Sequence, residues 1–413
     1  MRPTKPFWFL VVPVVILHAG VRYWAEFACC RKRFRDKVQK ALSEEGATIA
    51  SELSMEELVT QRMSLKKLAA HLGLAEGTVS RALNNYPDIS EKTRDRVQQA
   101  ASELGYRANP LARRLATGVA EAVAYVMPEN NSTISEPFVS QLLAGLGETL
   151  SERGWDLLVT QSGSGEEEAD MLHKLITSGR VSGVVLSRPL KNDARIKLLQ
   201  KAKFPFIVHG RSVDYEDYAW YDVDSKAAFV AAIDHLVALG HARIGFIGAP
   251  TYYNFAQMRL DGYKEAIANN GLVVDPDLIQ ITELSDDGGE LAVGDLLDRK
   301  HPPTAFLCVT DTQALGALAA IRARGLVPGK HISVIGYDGL RFGRHTNPPL
   351  TTMAQPQAHS GRQLGDMLLA IIDGGDPKDF QVLRSAELLR RKSDGPVWVE
   401  TSETMSKTWE EQT

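Results

Sequence analysis

Residues 63–118 constrain this chain most, because they repeat a helical signal three times within a length that suits only a small helical domain. Ser64 stands where a hydroxyl can cap a helix. Leu65, Leu68, Ala69 and Leu72 follow at i, i+3, i+4 and i+7, a single apolar stripe. Gly73 ends that helix and allows a tight turn. A second helix is predicted from about residue 75 to 83. It turns Val79, Ala82 and Leu83 inward and carries Glu76, Thr78, Ser80 and Arg81 on its other face, all able to hydrogen-bond. Ser90 caps a third helix whose Val97, Ala101 and Leu104 face the core, and Gly105 stops it. Two helices joined by a short glycine turn, the second with a polar face, form a helix-turn-helix, which fits the major groove of DNA.

Charge agrees with that reading. The net charge of −4 over 413 residues hides an asymmetry. Residues 63–118 hold nine Lys/Arg against five Asp/Glu, residues 1–62 ten against seven, and the remainder 28 against 39. A basic module on an acidic body suits a protein whose small domain alone touches phosphate. Three cysteines, two of them adjacent (Cys29 and Cys30), give no disulfide framework. Cys308 sits in an apolar run and reads as a buried core residue. A reducing cytoplasm is the compartment this implies.

The segment closely resembles the DNA-binding end of the LacI/GalR family of bacterial transcription regulators. The matching residues are Leu68-Ala69, Thr78-Val79-Ser80-Arg81, Ser90 with Thr93-Arg94 and Val97, then Gly105-Tyr106, and Asn109-Pro110 with Ala112 and Leu115. The resemblance implies a DNA-binding domain over 63–108 and a hinge helix over 109–119 that forms only when paired on DNA. It implies a two-fold dimer on a near-palindromic operator, since one helix-turn-helix reads only a short half-site. The DNA-contacting candidates are Ser64, Glu76, Gly77, Thr78, Ser80, Arg81, Asn84, Asn109, Ala112, Leu115 and Ala116. Arg81 can bridge to a guanine and Glu76 can accept from a cytosine amine. Thr78 and Ser80 can donate to phosphate, and Leu115 can wedge a minor-groove base step.

Residues 1–62 do not fit this pattern. Residues 7–19 are largely apolar but broken by Pro13 and His18, and Arg31-Lys32-Arg33 follows. A membrane span needs ~20 residues, so the run looks more like a signal core. The family match begins at Met63, so 1–62 is expected to be a mis-assigned or unstructured extension. The alternatives are a membrane tether and a genuine appendage.

From 119 to about 399 short β-rich runs alternate with helical lengths. Strands are expected at 122–126, 156–160, 184–187, 206–208, 244–247, 305–309 and 333–335. Helices are expected at 139–153, 168–177, 226–239, 259–270, 314–324 and 363–372. Alternating elements with continuous apolar strands imply parallel sheets covered on both faces. About 280 residues exceed one such unit, so two lobes are expected. By resemblance this body is the family's effector-binding core, residues 120–400, similar to periplasmic sugar-binding proteins. Its landmarks are Leu236 with Leu239-Gly240-His241 and Ile244, Asp311 with Ala314-Leu315-Gly316, 333–338, and Pro349-Leu350-Thr351-Thr352. The first lobe would be about 120–220 plus 353–378 and the second about 221–350 plus 379–400, with a polar tail at 401–413.

In open αβ sheets ligands sit at the carboxyl ends of strands. Arg188, Arg211, Asp311 and Asp338 stand there. Arg259 opens a predicted helix, and by resemblance it aligns with the family's effector-binding arginine, as Asp338 aligns with a position that accepts effector hydroxyls. A carboxylate accepts vicinal hydroxyls while an arginine donates a fork, which suits a neutral sugar. Phe138, Trp220, Tyr252 and Phe255 are aromatics that can face a pyranose ring. The stretch 204–211, Phe-Pro-Phe-x-x-His-Gly-Arg, resembles members that sense α-glucosides or other oligosaccharides. The expected function is therefore a sugar-released repressor of carbohydrate genes, against a plain sugar-binding protein or a membrane-tethered regulator. An enzyme is not expected: there is no P-loop, no G-x-S-x-G elbow and no H-E-x-x-H spacing. His235 and His241 flank a helix end and read as cap or core residues. No cofactor and no metal site is expected.

Overall fold

The structure, a computed structural model, describes residues 63–106, 120–127, 137–161 and 166–398. The chain divides into two units, one ending at Asn109 and the other beginning at Pro110. The hinge candidates Asn109, Ala112, Leu115 and Ala116, the extension 1–62, the loop 163–165 and the tail 401–413 lie outside the described residues.

The described residues of the first unit form three helices, α1 Leu65–Leu72, α2 Glu76–Leu83 and α3 Glu91–Glu103. The expected caps are in place. Lys67 N–H donates to Ser64 Oγ at 3.2 Å and Thr93 N–H to Ser90 Oγ at 3.4 Å. Gly73 takes φ 65°, the left-handed conformation that lets its own N–H return to the last turn of α1. Arg96 of α3 donates to the Leu72 carbonyl at 2.8 Å and closes the same helix end. Leu68, Ala69, Leu72, Val79, Ala82, Val97, Ala100 and Ala101 are the buried core.

The second unit is two αβ lobes. In chain order it runs β1 Ala122–Met127, α4 Pro137–Glu152, β2 Asp156–Gln161, α5 Glu166–Thr177, β3 Gly183–Ser187, α6 Ala194–Ala202, β4 Phe206–His209, β5 Ala219–Val223, α7 Ser225–Ala238, β6 Ile244–Gly248, α8 Asn254–Asn269, β7 Ile279–Ile281, α9 Asp286–Leu297, β8 Ala305–Cys308, α10 Asp311–Ala323, β9 Ser333–Asp338, β10 Thr351–Ala354, α11 Gln357–Ile372, β11 Gln381–Arg384 and β12 Glu387–Leu389. One six-stranded sheet has the order β11-β5-β4-β3-β1-β2, the other β12-β10-β9-β8-β6-β7. Among the described strand pairs only β10–β12 is antiparallel. Parallel strands need helical crossovers on both faces, so β3, β6, β8 and β9 are buried throughout, Cys308 with them, while the edge strands β2, β7, β11 and β12 are partly exposed.

The chain crosses between lobes three times: from β5 to α7, from β10 to α11, and from β11 to β12. This moves the expected lobe boundaries. Residues 381–384 pair with β5 and belong to the first lobe, so it does not end at 378. Met353 and Ala354 pair with β9 and belong to the second lobe rather than the first. Strand periodicity says which residues are extended but not which sheet they join.

Helices pack at glycine contacts in both lobes. A Cβ on Gly316 of α10 would stand 1.9 Å from the Asp286 carbonyl of α9, and one on Gly361 of α11 would stand 2.1 Å from the Leu142 carbonyl of α4. No side chain fits at these positions, which is why glycine stands inside the helices despite its poor propensity. Among the described residues no helix is long and apolar enough to cross a membrane.

Candidate functional site

On the three-helix unit α2 presents the polar face expected of a recognition helix. Glu76, Gly77 and Arg81 are exposed, and Thr78, Ser80 and Asn84 half-buried. Arg81 is ion-paired with Asp88 and lies 5.7 Å from the Tyr86 ring centre, so it is held over the helix face rather than loose. Asn84 donates its amide to the Ser80 carbonyl at 2.9 Å, and Ser64 is engaged as the cap of α1. Arg94 donates to the carbonyls of Tyr86 and Ile89 at 3.2 Å each and fixes the loop after α2.

In the second unit one cleft between the lobes collects residues from strand ends on both sheets. Its lining includes Phe138, Arg188, His209, Arg211, Asp222, Ser225, Phe255, Arg259, Asp338, Leu340 and Gln355. The predicted residues Arg188, Arg211, Phe255, Arg259 and Asp338 thus come together from four separated segments, Phe255 and Arg259 sharing α8. Of the four aromatics, Phe138 and Phe255 line the cleft. Trp220 instead stacks on Arg211 at 5.5 Å, and Tyr252 is exposed outside it.

Arg259 does not open its helix. α8 begins at Asn254, and Arg259 sits one turn and a half inside. It is buried, donates from Nη1 to the Val309 carbonyl at 2.5 Å and from Nε to Ser225 Oγ at 3.3 Å, and lies 3.8 Å from the Tyr337 ring centre and 4.7 Å from that of Phe255. A guanidinium gripped this way is pre-oriented at little further entropic cost on binding. Burial pushes the Tyr337 hydroxyl up to about 12, so it stays neutral beneath the cation.

Asp338 is the last residue of β9. Gln355 Nε2 donates to its Oδ1 at 2.8 Å, and Gln357 donates to its backbone carbonyl. Asp311 departs from expectation. Its carboxylate does not line the cleft but turns into the second lobe, where it accepts the Leu340 N–H at 2.7 Å and the Thr352 hydroxyl at 2.6 Å. Its neighbours Thr310, the N-cap of α10, and Thr312 line the cleft instead.

Opposite, the first lobe contributes Arg188, Arg211 and His209. Arg188 has φ 50°, and its loop is held by a buried Arg195–Asp193 pair: Arg195 binds both Asp193 oxygens, at 2.9 and 2.6 Å, and donates to the Ser187 and Arg188 carbonyls. Arg211 Nε meets Asp222 Oδ2 at 3.1 Å. Burial raises the Asp222 carboxyl to about 6, with Arg211 opposing, so at neutral pH the pair is ionised. Burial first, then the charges of Arg188 and Arg259, hold His209 down to about 4. The cleft at neutral pH therefore carries three guanidiniums, two carboxylates and a neutral imidazole. Sequence reasoning did not single out His209, Asp222 or Gln355, although His209 stands beside Arg211 in a quoted motif and Asp222 is an outward position of an alternating strand.

The lobes also join at one rim by backbone. Leu190 and Tyr253 form an antiparallel bridge, Lys191 N–H donates to the Tyr252 carbonyl and Asn254 N–H to the Pro189 carbonyl, each at 3.1 Å. His241 is buried against Thr304, Ser333 and Gly395 and His235 pairs with Asp394, far from any reacting role.

Residues 64–109 match the family model for bacterial regulatory proteins of the lacI family, and residues 233–393 that for a periplasmic binding protein-like domain. The chain is 38% identical over 339 residues to the HTH-type transcriptional regulator AglR of Rhizobium meliloti, covering 81% of this chain and 95% of that one. A solved complex of the transcriptional regulator CelR with cellobiose is 31% identical, with a TM-score of 0.63 over 80% of this chain and 100% of the other. The lac repressor dimer bound to operator and an anti-inducer is 27% identical, with a TM-score of 0.69 over 81% and 99%. An exposed polar recognition helix, a two-lobed core and identity across nearly the whole of these regulators have one explanation: the chain is a DNA-binding transcriptional regulator and belongs to the LacI family.

Proposed function

We propose that this regulator represses carbohydrate uptake or catabolism genes in the cytoplasm and leaves its operator when a small sugar enters the cleft. The observation that carries the sugar is the convergence of Arg188, Arg211, Arg259 and Asp338 with two aromatic faces, Phe138 and Phe255, in one cleft. Forked donors and an acceptor fix ring hydroxyls, and the aromatic faces cover the apolar side of a pyranose. The likeness to a regulator solved with cellobiose favours an oligosaccharide of glucoside type. DNA contact falls to Glu76, Thr78, Ser80 and Arg81 on α2, with Asn84 and Ser64 at its margins and Gly77 leaving room for a base edge. Two copies act on a near-palindrome, with Asn109, Ala112, Leu115 and Ala116 as further DNA contacts. Residues 63–108, 109–119 and 120–400 serve as head, hinge and core, and 1–62 adds nothing to either activity. Sugar bridging both lobes biases their closure, and a coupling of about 1–3 kcal/mol is enough to shift operator occupancy markedly.

The test is titration of the full chain with cellobiose, maltose and sucrose, alone and after Asp338→Ala. One of these binds the unaltered chain, and the variant binds it ~1–3 kcal/mol more weakly because a ligand hydroxyl loses its acceptor. Unchanged affinity in a folded Asp338→Ala chain removes Asp338 from the site.

A further inference from the structure

We infer that Asp311 and Thr352 are positioning residues for the effector site: buried behind the cleft, they hold the backbone turn that presents Asp338 and Leu340 to the ligand. The inference rests on the sugar reading of that cleft. The turn is unusual. Asp338 has φ 123° and Gly339 φ 78°, two successive residues on the side of the map that L side chains rarely adopt. A non-glycine residue persists there only when its surroundings over-determine it.

Here the surroundings do so on both sides of the peptide plane. Leu340 N–H donates to Asp311 Oδ2 at 2.7 Å. Gly339 N–H donates to Thr352 Oγ1 at 3.2 Å, and that hydroxyl donates to Asp311 Oδ1 at 2.6 Å. The Asp338 carbonyl accepts the Gln355 N–H at 3.2 Å and the Gln357 side-chain amide. Every one of these partners lies on a different strand, helix or crossing from the turn itself. Strand β9 makes room for the carboxylate: a Cβ on Gly336 would stand 2.3 Å from Asp311 Oδ1.

Asp311 is fully buried and Thr352 equally so, and neither lines the cleft, so neither touches an effector there. What they control is the direction of two residues that do line it, the Asp338 carboxylate and the apolar Leu340 side chain. Losing either buried partner leaves a backbone N–H unpaired and the left-handed turn without its anchor. Burial and the charge of Asp338 raise the Asp311 carboxyl to about 8. Asparagine keeps one acceptor oxygen for the Leu340 N–H, and its amide can donate to Thr352 Oγ1, so both contacts survive with the direction of the second reversed.

The experiment compares Asp311→Ala, Asp311→Asn, Thr352→Val and Thr352→Ser in the full chain. Calorimetry uses cellobiose, maltose and sucrose, and hydrogen exchange follows the peptide that contains the Leu340 amide. We expect Asp311→Ala and Thr352→Val to weaken the sugar that binds the unaltered chain by about tenfold or more, the consequence of one buried N–H left unpaired, and to speed exchange at that peptide. Asp311→Asn and Thr352→Ser should restore both readings to near the unaltered values. Should Asp311→Ala fail to fold, the Thr352 pair carries the same test. Unchanged sugar affinity in a folded Asp311→Ala or Thr352→Val chain overturns the assignment, as does an Asp311→Asn chain as impaired as Asp311→Ala. If none of the sugars binds the unaltered chain while exchange at the Leu340 peptide still responds, the sugar reading has failed, and the role in effector binding falls with it.

Discussion

The three-helix head and the two-lobed core reach function by opposite routes. The head displays its chemistry on one exposed eight-residue helix, α2, over a core in which four of the eight buried residues are alanines. The core buries its chemistry and assembles it from positions as far apart as Phe138 and Gln355. A surface that reads DNA needs only a helix held at the right height, so its parts are neighbours in sequence. A site that encloses a small molecule needs groups from several directions, and only the crossings of the chain bring them together. The difference also separates their energetics. So small an apolar core leaves the head dependent on caps, whereas the core rests on four buried clusters.

The largest effect should come from a crossed pair. Arg259→Met removes two hydrogen bonds from a buried cation and should weaken sugar binding by about 3 kcal/mol or more while sparing operator binding. Arg81→Ala should do the reverse, removing ~1–3 kcal/mol of base discrimination and leaving weak, salt-sensitive binding. Calorimetry with the sugar and footprinting on the operator check both, and an Arg81→Ala chain with unchanged operator protection would dismiss α2 as the reading helix. Next in size is the cap. Ser64→Ala should cost about 1 kcal/mol in the head and lower only the thermal transition that belongs to it. A shift of the core transition by the same amount would mean the two regions do not melt separately.

The smallest is a pH effect confined to the core. His209 is held at about 4 in the fold against 6.5 when unfolded, so its contribution to stability is present above pH 6.5 and lost as pH falls toward 4. Asp222 runs the other way: its carboxyl, raised from 3.8 to about 6, loses stability as pH rises through that window. His209→Gln removes the first effect alone. Denaturant midpoints at pH 7 and pH 5 should therefore fall less in the variant than in the unaltered chain, and an equal fall would place His209 outside the titrating set.

Legibility in the sequence follows the same division. The head's three helices, both serine caps and the Gly73 turn are readable because each is a local signal. In the core the seven expected strands are present, since continuous apolar runs mark them. α9 is missed because Gly288, Gly289 and Gly294 depress its propensity; Gly289 packs on the Gln313 carbonyl of α10 and Gly294 on the Arg324 side chain, remote contacts no window contains, while Gly288 packs on the loop just before the helix. β5, β10, β11 and β12 are short, and all four flank lobe crossings, where membership depends on a remote partner strand. Arg188, Arg211, Arg259 and Asp338, singled out from strand ends, a helix start and family likeness, line one cleft. Asp311 looks the same in sequence but faces away from the cleft, because one residue's step along a helix start decides the side on which a carboxylate emerges.

Binding of the full chain to a palindromic operator, followed by fluorescence anisotropy during sugar titration, tests the central claim most directly. The account predicts a specific complex that dissociates as cellobiose, maltose or sucrose is added, with Asp338→Ala remaining on the DNA at concentrations that release the unaltered chain. A specific complex that is tightened by the sugar which calorimetry shows to bind, or that is released identically from Asp338→Ala, would contradict it.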